Sequence, residues 1–315
     1  MIDGYGRNIR YLRVSVTDRC NCRCVYCMPG CGVPMLDHDD LMSFEELTEV
    51  VAASARLGVR KVRLTGGEPL VRQDVVELVR MIAAVPGIEE VDMTTNGTLL
   101  APLAAPLREA GLTRVNVSLD TLDPVLYRKI TRVGRLEDAL AGLAALERAG
   151  FADTKVDCVL MGGVNDAGIL PLASLAKDRP MSVRFIELMR MGECAAWPRS
   201  RFVPADEVLL QLPGAVPAGT QGVAELYRVP GWKGTVGLIR PVSHKFCAGC
   251  DRIRLSAEGR LKPCLHSAEE IPLRGLHGEA LEQALRQAIM HKPRRSNIDQ
   301  THASDSARGM SRIGG

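Results

Sequence analysis

The sequence predicts an α/β protein, an incomplete (β/α)6 barrel followed by a small cysteine-bearing region. Three observations predict this. Six short runs, mostly rich in Val, Ile and Leu, recur in the first two thirds of the chain. Segments with helical periodicity lie between them, the pattern of a parallel sheet with crossover helices. Cysteines follow the first run and paired glycines the second, where the carboxyl ends of barrel strands build active sites. A doubly wound sheet satisfies the first two observations. The third favours the barrel.

The first strand covers residues 10–17 and runs into the cysteine-rich loop. Ser43 and Glu46 have the spacing of a capping box, which opens a helix lasting to about Leu57, with Gly58 as its stop. The second strand is 61–65. Val75, Leu78, Val79 and Ile82 then fall at i, i+3, i+4 and i+7, one face of a helix. The third and fourth strands are 91–95 and 114–119. Leu136, Leu140 and Leu143 repeat the helical pattern until Gly150 ends it. The fifth and sixth strands are 155–160 and 183–189. After about residue 230 the pattern changes, and 232–265 reads as short strands and turns around three cysteines. From His291 the chain is polar and reads as a tail rather than a packed element. The expected organisation is a barrel over 1–230, a cluster-binding region over 231–290 and a tail over 291–315.

Composition narrows the function classes. The 315 residues are 46% hydrophobic and 24% charged, ordinary for a globular protein. No run approaches the roughly 18 apolar residues of a membrane span, and residues 1–10 lack the apolar core of a secretory signal. A cytoplasmic protein with no membrane partner is expected. The formal charge of +3 makes no case for nucleic acid. The ten cysteines are uneven: five lie between Cys20 and Cys31, three between Cys247 and Cys264, and Cys158 and Cys194 stand alone. A large chain without a signal peptide uses clustered cysteines for metal or redox chemistry rather than as a disulfide scaffold.

Cys20, Cys24 and Cys27 form a C-x3-C-x2-C loop. A [4Fe–4S] cluster normally takes four thiolates, so three leave one iron open to a small molecule. Cys22 and Cys31 are further candidates, and a zinc knuckle is the alternative reading. The loop resembles that of the radical S-adenosylmethionine enzymes, whose open iron chelates the methionine moiety of that cofactor. The resemblance implies reductive cleavage to a 5′-deoxyadenosyl radical. Thr65-Gly66-Gly67-Glu68-Pro69 looks like the Gly-Gly-Glu motif of the same superfamily, with paired glycines for close backbone approach and Glu68 as an acceptor for the methionine ammonium. Thr94, Ser118 and Met189 lie at or near the ends of the third, fourth and sixth strands.

Basic residues interrupt strands that should be apolar. Arg13, Lys61, Arg63, Lys155 and Arg184 all fall inside predicted strands. A buried charge without a partner is costly. Asp157 and Glu187, on the same strands as two of them, could supply internal salt bridges. A polyanionic ligand such as a triphosphate accounts better for the whole set.

The second cysteine group, Cys247, Cys250 and Cys264, has the spacing C-x2-C-x13-C and encloses Arg252 and Arg254, which point to one face of a strand. With His266 it would also make a Cys3His zinc site. The order of these motifs closely resembles the GTP 3′,8-cyclase family of molybdenum cofactor biosynthesis, from about Arg10 to the last residue. The resemblance implies two [4Fe–4S] clusters, one on Cys20, Cys24 and Cys27 and one on Cys247, Cys250 and Cys264. It implies that Tyr26, Gly67, Ser118 and Met189 contact S-adenosyl-L-methionine. It implies that Arg13, Lys61, Arg63, Thr94, Lys155 and the run Arg252, Ile253, Arg254 surround GTP, whose guanine binds the second cluster. Arg13, Arg252, Arg254 and the terminal Gly314 and Gly315 are the implied catalytic residues, the double glycine reaching into the active site. That ending is also expected to mark a complete chain.

The implied reaction removes hydrogen from C3′ of GTP, joins C3′ to C8 and, after a one-electron reduction, gives 3′,8-cyclo-7,8-dihydro-GTP. An electron donor is required, and a separate cyclic pyranopterin monophosphate synthase would consume the product. A homodimer is compatible with the sequence. The competing readings are a radical enzyme that modifies a peptide and a non-catalytic zinc-binding interaction protein. Two positions depart from the family pattern, Cys22 where an aromatic residue is frequent and Cys31 near a frequent acidic one. Cys22→Ala and Cys31→Ala should keep the iron content of the reconstituted protein, and Cys24→Ala should lose it. Iron loss in the Cys22 variant would overturn the ligand assignment.

Overall fold

The computed structural model describes residues 1–299 and 301–313. The six expected strands are present as β1 (Tyr11–Ser15), β2 (Lys61–Thr65), β3 (Glu90–Thr95), β4 (Arg114–Ser118), β5 (Lys155–Leu160) and β6 (Ser182–Glu187). Between them run α1 (Phe44–Arg56), α2 (Val75–Ala83), α3 (Leu100–Glu109), α4 (Pro124–Thr131), α5 (Leu136–Arg148) and the short α6 (Ile169–Ala173). Local sequence explains the boundaries. Ser43 Oγ accepts from Glu46 N at 3.1 Å while Glu46 Oε2 accepts from Ser43 N at 2.7 Å, the expected capping box. At α4, Pro124 takes the first helical position and Asp123 caps the amides of Val125 and Leu126.

Beyond β6 lie α7 (Glu207–Leu210), an antiparallel hairpin of β7 (Val216–Gln221) and β8 (Ala224–Arg228), then β9 (Thr235–Ile239). The chain ends in β10 (Arg252–Leu255), β11 (Arg260–Lys262), β12 (Ile271–Pro272) and α8 (Gly278–Met290). All join one sheet of order β12-β11-β10-β1-β2-β3-β4-β5-β6-β9-β8-β7. The barrel is open, because β9 and β10 do not pair. Each runs parallel to the edge strand it extends, β9 to β6 and β10 to β1. The connection over 240–251 therefore travels from the carboxyl end of β9 to the amino end of β10, and it carries Cys247 and Cys250.

The strands alternate strictly. Leu12, Val14, Val62, Leu64, Val115, Val117, Val183 and Phe185 are fully buried in the main core. Their neighbours, Tyr11, Arg13, Lys61, Arg63, Arg114, Asn116 and Arg184, line the cavity within the barrel. The period of two sends one set towards the helices and the other inward.

The reading of 291–315 as an unpacked tail is corrected by the structure. Apart from the short turn of helix at Met310–Arg312 its described residues lack regular structure, yet they pack. Lys292 is 2% exposed and its Nζ donates to Arg252 O and Pro263 O, both at 2.8 Å. Arg7, ion-paired to Asp3 at 2.6 Å, donates to the carbonyls of Lys292, Pro293, Arg294 and Cys247. Arg308 is held by Glu270 and Glu258. Side chains from distant segments replace a regular hydrogen-bond ladder, so composition alone misread this segment. The helix α8 and strands β7 and β8 were likewise not visible in the sequence pattern.

One packing contact sets how closely α5 approaches the start of α3. A Cβ on Gly142 would lie 2.2 Å from Gly97 O and 3.0 Å from Leu100 Cβ. Gly142→Ala should therefore destabilise the protein by about 1–3 kcal/mol, the usual cost of overpacking, read as a lower melting temperature.

Candidate active site

The three-cysteine loop sits at the carboxyl end of β1. Its irregular backbone is tied to its neighbours, with Arg23 N donating to Thr131 O and Val25 N to Ile130 O, both at 2.9 Å. The Gly-Gly-Glu turn after β2 presses against the segment entering this loop. Gly67 N donates to Thr17 O and Glu68 N to Arg19 O, each at 2.8 Å. A Cβ on Gly66 would meet Thr17 O at 2.6 Å, and one on Gly67 would meet Arg19 O at 2.3 Å. The glycines are thus required first by the chain's own backbone. Gly67 also lines the cavity, so it remains available to a ligand.

Glu68 is 1% exposed and already accepts from Leu70 N, Thr95 Oγ1 and Asn96 N at 2.7–3.0 Å. Burial raises its pKa to about 7 against the lowering effect of those bonds. Its first role is to tie the β2 turn to the end of β3.

Cys20, Cys24 and Cys27 are free thiols that open onto one cavity of about 620 Å³. Burial pushes Cys20 up to about 11, Cys27 up to about 12 and Cys24 well above the ordinary thiol value. Thiols held neutral by burial ionise when a metal centre supplies positive charge, so the donor set fits an iron–sulfur cluster. Cys22 is buried, and burial raises it to about 12. Cys31 is exposed. Tyr26, Ser118 and Met189 line the same cavity as the three thiols. Tyr26 is oriented by Asp120, whose carboxylate accepts its hydroxyl at 2.9 Å and also the amide of Val159 at 2.9 Å.

The inward-facing side chains form two rungs across the sheet. Register places Arg254 beside Arg13, Arg13 beside Arg63, and Arg63 beside Asp92. One residue pair earlier, Arg252 is beside Tyr11, Tyr11 beside Lys61, and Lys61 beside Glu90. Asp92 is fully buried and bonds Arg63 at 2.5 Å and Lys61 at 2.6 Å. The ion chain continues from Lys61 to Glu90 at 2.8 Å, Glu90 to Arg114 at 2.5 Å, Arg114 to Asp153 at 2.9 Å and Asp153 to Lys155 at 2.8 Å.

Asp157 and Glu187, the acids that could have supplied salt bridges along their own strands, bond elsewhere. Lys155 is ion-paired to Asp153, one turn of chain before its strand, while Asp157 accepts from Asn116 at 2.7 Å. Arg184 donates to Gln221. Glu187 accepts from the hydroxyl of Ser243 and from the amides of Ala205, Val242 and Ser243, so it fixes the start of the crossing connection. Asp92, Arg114, Asn116, Asp153 and Gln221 were missed as site residues. Polar residues at alternate positions of β3 and β4 were the signal for the first three.

Along β1 and β10 the charge is of one sign. Arg13 is lowered to about 10, first by burial and then by the fields of Arg63 and Arg252, with Tyr11 and Asp157 opposing. Burial, then repulsion by Arg13 and Arg252, pulls Arg254 well below its ordinary value. By contrast Arg63 is raised: burial opposes its charge, but Tyr11 and Asp92 outweigh it. An anion against the β1–β10 wall would relieve this repulsion.

The second cysteine group lies at the opposite end. Cys247 and Cys250 precede β10, and Cys264 follows β11, which runs antiparallel to β10 and returns to the same end. All three line the cavity. Burial raises Cys250, but Arg252 and Lys292 outweigh it and bring the thiol below its ordinary value, which suits a thiolate ligand. His266 Nδ1 lies 3.1 Å from Ser304 Oγ. Among the described residues no group of three or more His, Cys, Asp or Glu side chains, in either cysteine set, is gathered as a single metal ion requires.

The cavity lining brings together Arg13, Lys61, Arg63, Thr94, Lys155, Arg252 and Arg254. The side chain of Ile253 is fully buried in the outer core, because alternation turns it away from Arg252 and Arg254. Only its backbone remains for a ligand. Gly314 and Gly315 lie outside the described residues; before them, Met310 and Ser311 line the cavity.

An open parallel barrel with a three-cysteine loop at the carboxyl end of its first strand defines the radical S-adenosylmethionine class. Residues 14–176 match the family model described as Radical SAM superfamily, and residues 181–298 that described as Molybdenum Cofactor Synthesis C. The fold is similar to that of Streptococcus suis SuiB bound to S-adenosylmethionine, with a TM-score of 0.63 and 15% identity, covering 91% of this chain and 66% of that one. It is also similar to the maturase HydG from Carboxydothermus hydrogenoformans, with a TM-score of 0.51 and 16% identity over 66% of this chain and 50% of that one. In sequence the chain is 45% identical over 320 residues to the GTP 3′,8-cyclase of Alkaliphilus oremlandii (strain OhILAs), covering 100% of both. It is 44% identical to that of Moorella thermoacetica, again covering 100% of both chains. The chain belongs to the GTP 3′,8-cyclase family.

The shared acid in the barrel generates a prediction. Asp92→Asn leaves Arg63 buried without its carboxylate and should cost about 3 kcal/mol, the low end for a broken buried pair because Lys61 is partly solvated. A lower urea midpoint would show it, and added GTP should restore part of the loss.

Proposed function

We propose that this chain converts GTP to (8S)-3′,8-cyclo-7,8-dihydroguanosine 5′-triphosphate, the first step of molybdenum cofactor biosynthesis, inside the cavity that joins its two cysteine groups. The observation that carries the reading is the gathering of Arg13, Arg252 and Arg254 on one wall of that cavity. Cys20, Cys24 and Cys27 would hold one [4Fe–4S] cluster and Cys247, Cys250 and Cys264 a second. Tyr26, Gly67, Ser118 and Met189 would contact S-adenosyl-L-methionine. When bound, these groups supply a 5′-deoxyadenosyl radical and one-electron chemistry at the two ends of the cavity.

The chain's own residues hold and enclose the substrate. Arg13, Arg252 and Arg254 bind the triphosphate, whose charge offsets their mutual repulsion. Lys61, Arg63 and Lys155, already ordered by Asp92, Glu90 and Asp153, offer donors in fixed positions and need little rearrangement. Thr94 and the backbone of Ile253 add polar contacts. Over the reaction the substrate loses one hydrogen atom from C3′, gains the C3′–C8 bond, and takes up one electron and one proton on the guanine ring. Enclosure matters because water and stray reductants would consume a radical. The connection over 240–251 and residues 310–311 border the cavity, and Gly314 and Gly315 would extend that closure and act in catalysis.

An electron donor would supply the reducing equivalents, and a separate cyclic pyranopterin monophosphate synthase would take the product. The chain would divide into a barrel over 1–230, a cluster region over 231–290 and a closing tail over 291–315, with GTP bound at their junction. Assembly as a homodimer is compatible with the reading.

After anaerobic reconstitution the protein should carry about eight irons per chain and no zinc, and it should turn over GTP. Arg13→Gln and Arg254→Gln should keep the iron and weaken GTP binding about 10- to 100-fold each, as loss of a charged hydrogen bond does. About four irons with one zinc would remove the second cluster from the proposal.

A further inference from the structure

Two arginines grip the cysteine loop from outside the cavity. Arg23 Nη1 donates to Cys20 O at 2.5 Å and to Cys22 O at 2.9 Å. Arg132 Nη1 donates to Arg23 O at 2.8 Å and to Met28 O at 2.9 Å. Four main-chain carbonyls of one short loop thus face two guanidinium groups, although a loop carbonyl is satisfied as well by water or an amide. Both side chains are half-buried. Their charges are therefore screened less than those of surface arginines.

The backbone of Arg132 adds an independent observation. It has φ +65° and ψ −37°, and among the described residues Asp74 is the other non-glycine residue at positive φ. Glycine adopts positive φ without strain, whereas a Cβ makes it unfavourable. Strain retained at a site is a reason to look for a function. The position lies directly after α4, whose last carbonyls, Ile130 and Thr131, accept from Val25 and Arg23. Helix end, strained residue and cysteine loop form one unit. Gly32 leaves room for Arg23, whose Nε would lie 3.1 Å from a Cβ at that position, and Gly30 packs against Arg132 in ordinary contact.

We propose that Arg23 and Arg132 form a cationic collar that shapes the cysteine loop and raises the reduction potential of the cluster it holds. The inference rests on the reading that Cys20, Cys24 and Cys27 are the cluster ligands. Uptake of one electron from an external donor adds negative charge to the cluster. Fixed cations bonded to the carbonyls of residues beside Cys24 and Cys27, and of Cys20 itself, stabilise that reduced form. Charge and hydrogen bonding near a cluster are the protein's levers on its potential. Both arginines are positioning residues, since they act through the loop and touch no reacting atom.

The test is a redox titration of the reconstituted holoprotein followed by electron paramagnetic resonance. The signal that changes on adding S-adenosylmethionine marks the first cluster. Arg23→Gln and Arg132→Gln keep a donor and remove the charge. Each should retain iron and shift that potential to a more negative value, with a larger shift in the double variant. Arg132→Lys should stay near the unsubstituted potential. Iron loss in Arg132→Gln that Arg132→Lys reverses also supports the collar. An unchanged potential in both Gln variants overturns it, and so does iron loss in Arg132→Lys as well as Arg132→Gln. No S-adenosylmethionine-sensitive signal in the unsubstituted protein would sink the ligand assignment and the collar with it. A signal present but unmoved by the variants would sink the collar alone.

Discussion

The strict alternation of the parallel strands governs the rest of this structure. The strands turn Val, Leu, Ile or Phe towards the helices, and β1 to β4 turn mainly polar residues into the barrel, where Val159 of β5 and Ile186 of β6 join them. The interior is therefore a cavity lined by charged as well as apolar side chains and not a packed apolar core. Such a cavity has to be balanced electrically, because unpaired charge in a protein interior is costly. One side is balanced from within, by Glu90, Asp92 and Asp153 acting on Lys61, Arg63, Arg114 and Lys155. Next to it, on β1 and β10, Arg13, Arg252 and Arg254 repel one another, and a bound triphosphate would relieve that repulsion.

Parallel pairing also decides where the two cysteine groups stand. The first follows the carboxyl end of β1. The second lies at the amino end of β10, because β9 and β10 both run parallel to the strands they extend and the link between them must travel the length of the barrel. One cavity thus has thiols at both ends and cations in the middle. A long anion bridging the ends can meet different chemistry at each.

Irregular segments around the cavity are held by a recurring device. Arg7, Arg23, Arg132 and Lys292 each direct a cation at several main-chain carbonyls. Loops that carry ligands cannot satisfy their carbonyls through a helix or sheet ladder. A guanidinium serves several at once and adds charge where the bound groups are negative. The Gly66–Gly67 turn reaches the same end by removing side chains, so that two backbones can meet.

Several features were legible in the sequence because they are local. Strand alternation, the Ser43 capping box, the helix stops at Gly58 and Gly150, and the spacings of both cysteine groups depend on residues a few positions apart. Cations at inward positions of β1, β2 and β5 were visible for the same reason, and they pointed to an anionic ligand before any partner was known. Tertiary structure alone decided the rest. It chose Asp92 as the partner of Lys61 and Arg63 and Asp153 as that of Arg114, placed β9 and β10 at opposite edges, turned the side chain of Ile253 away from the cavity and packed the polar segment after His291. Each of these depends on the register between strands or on bonds across hundreds of residues. A sequence carries the period of a strand within itself, but it carries the identity of that strand's neighbour only through the folded whole.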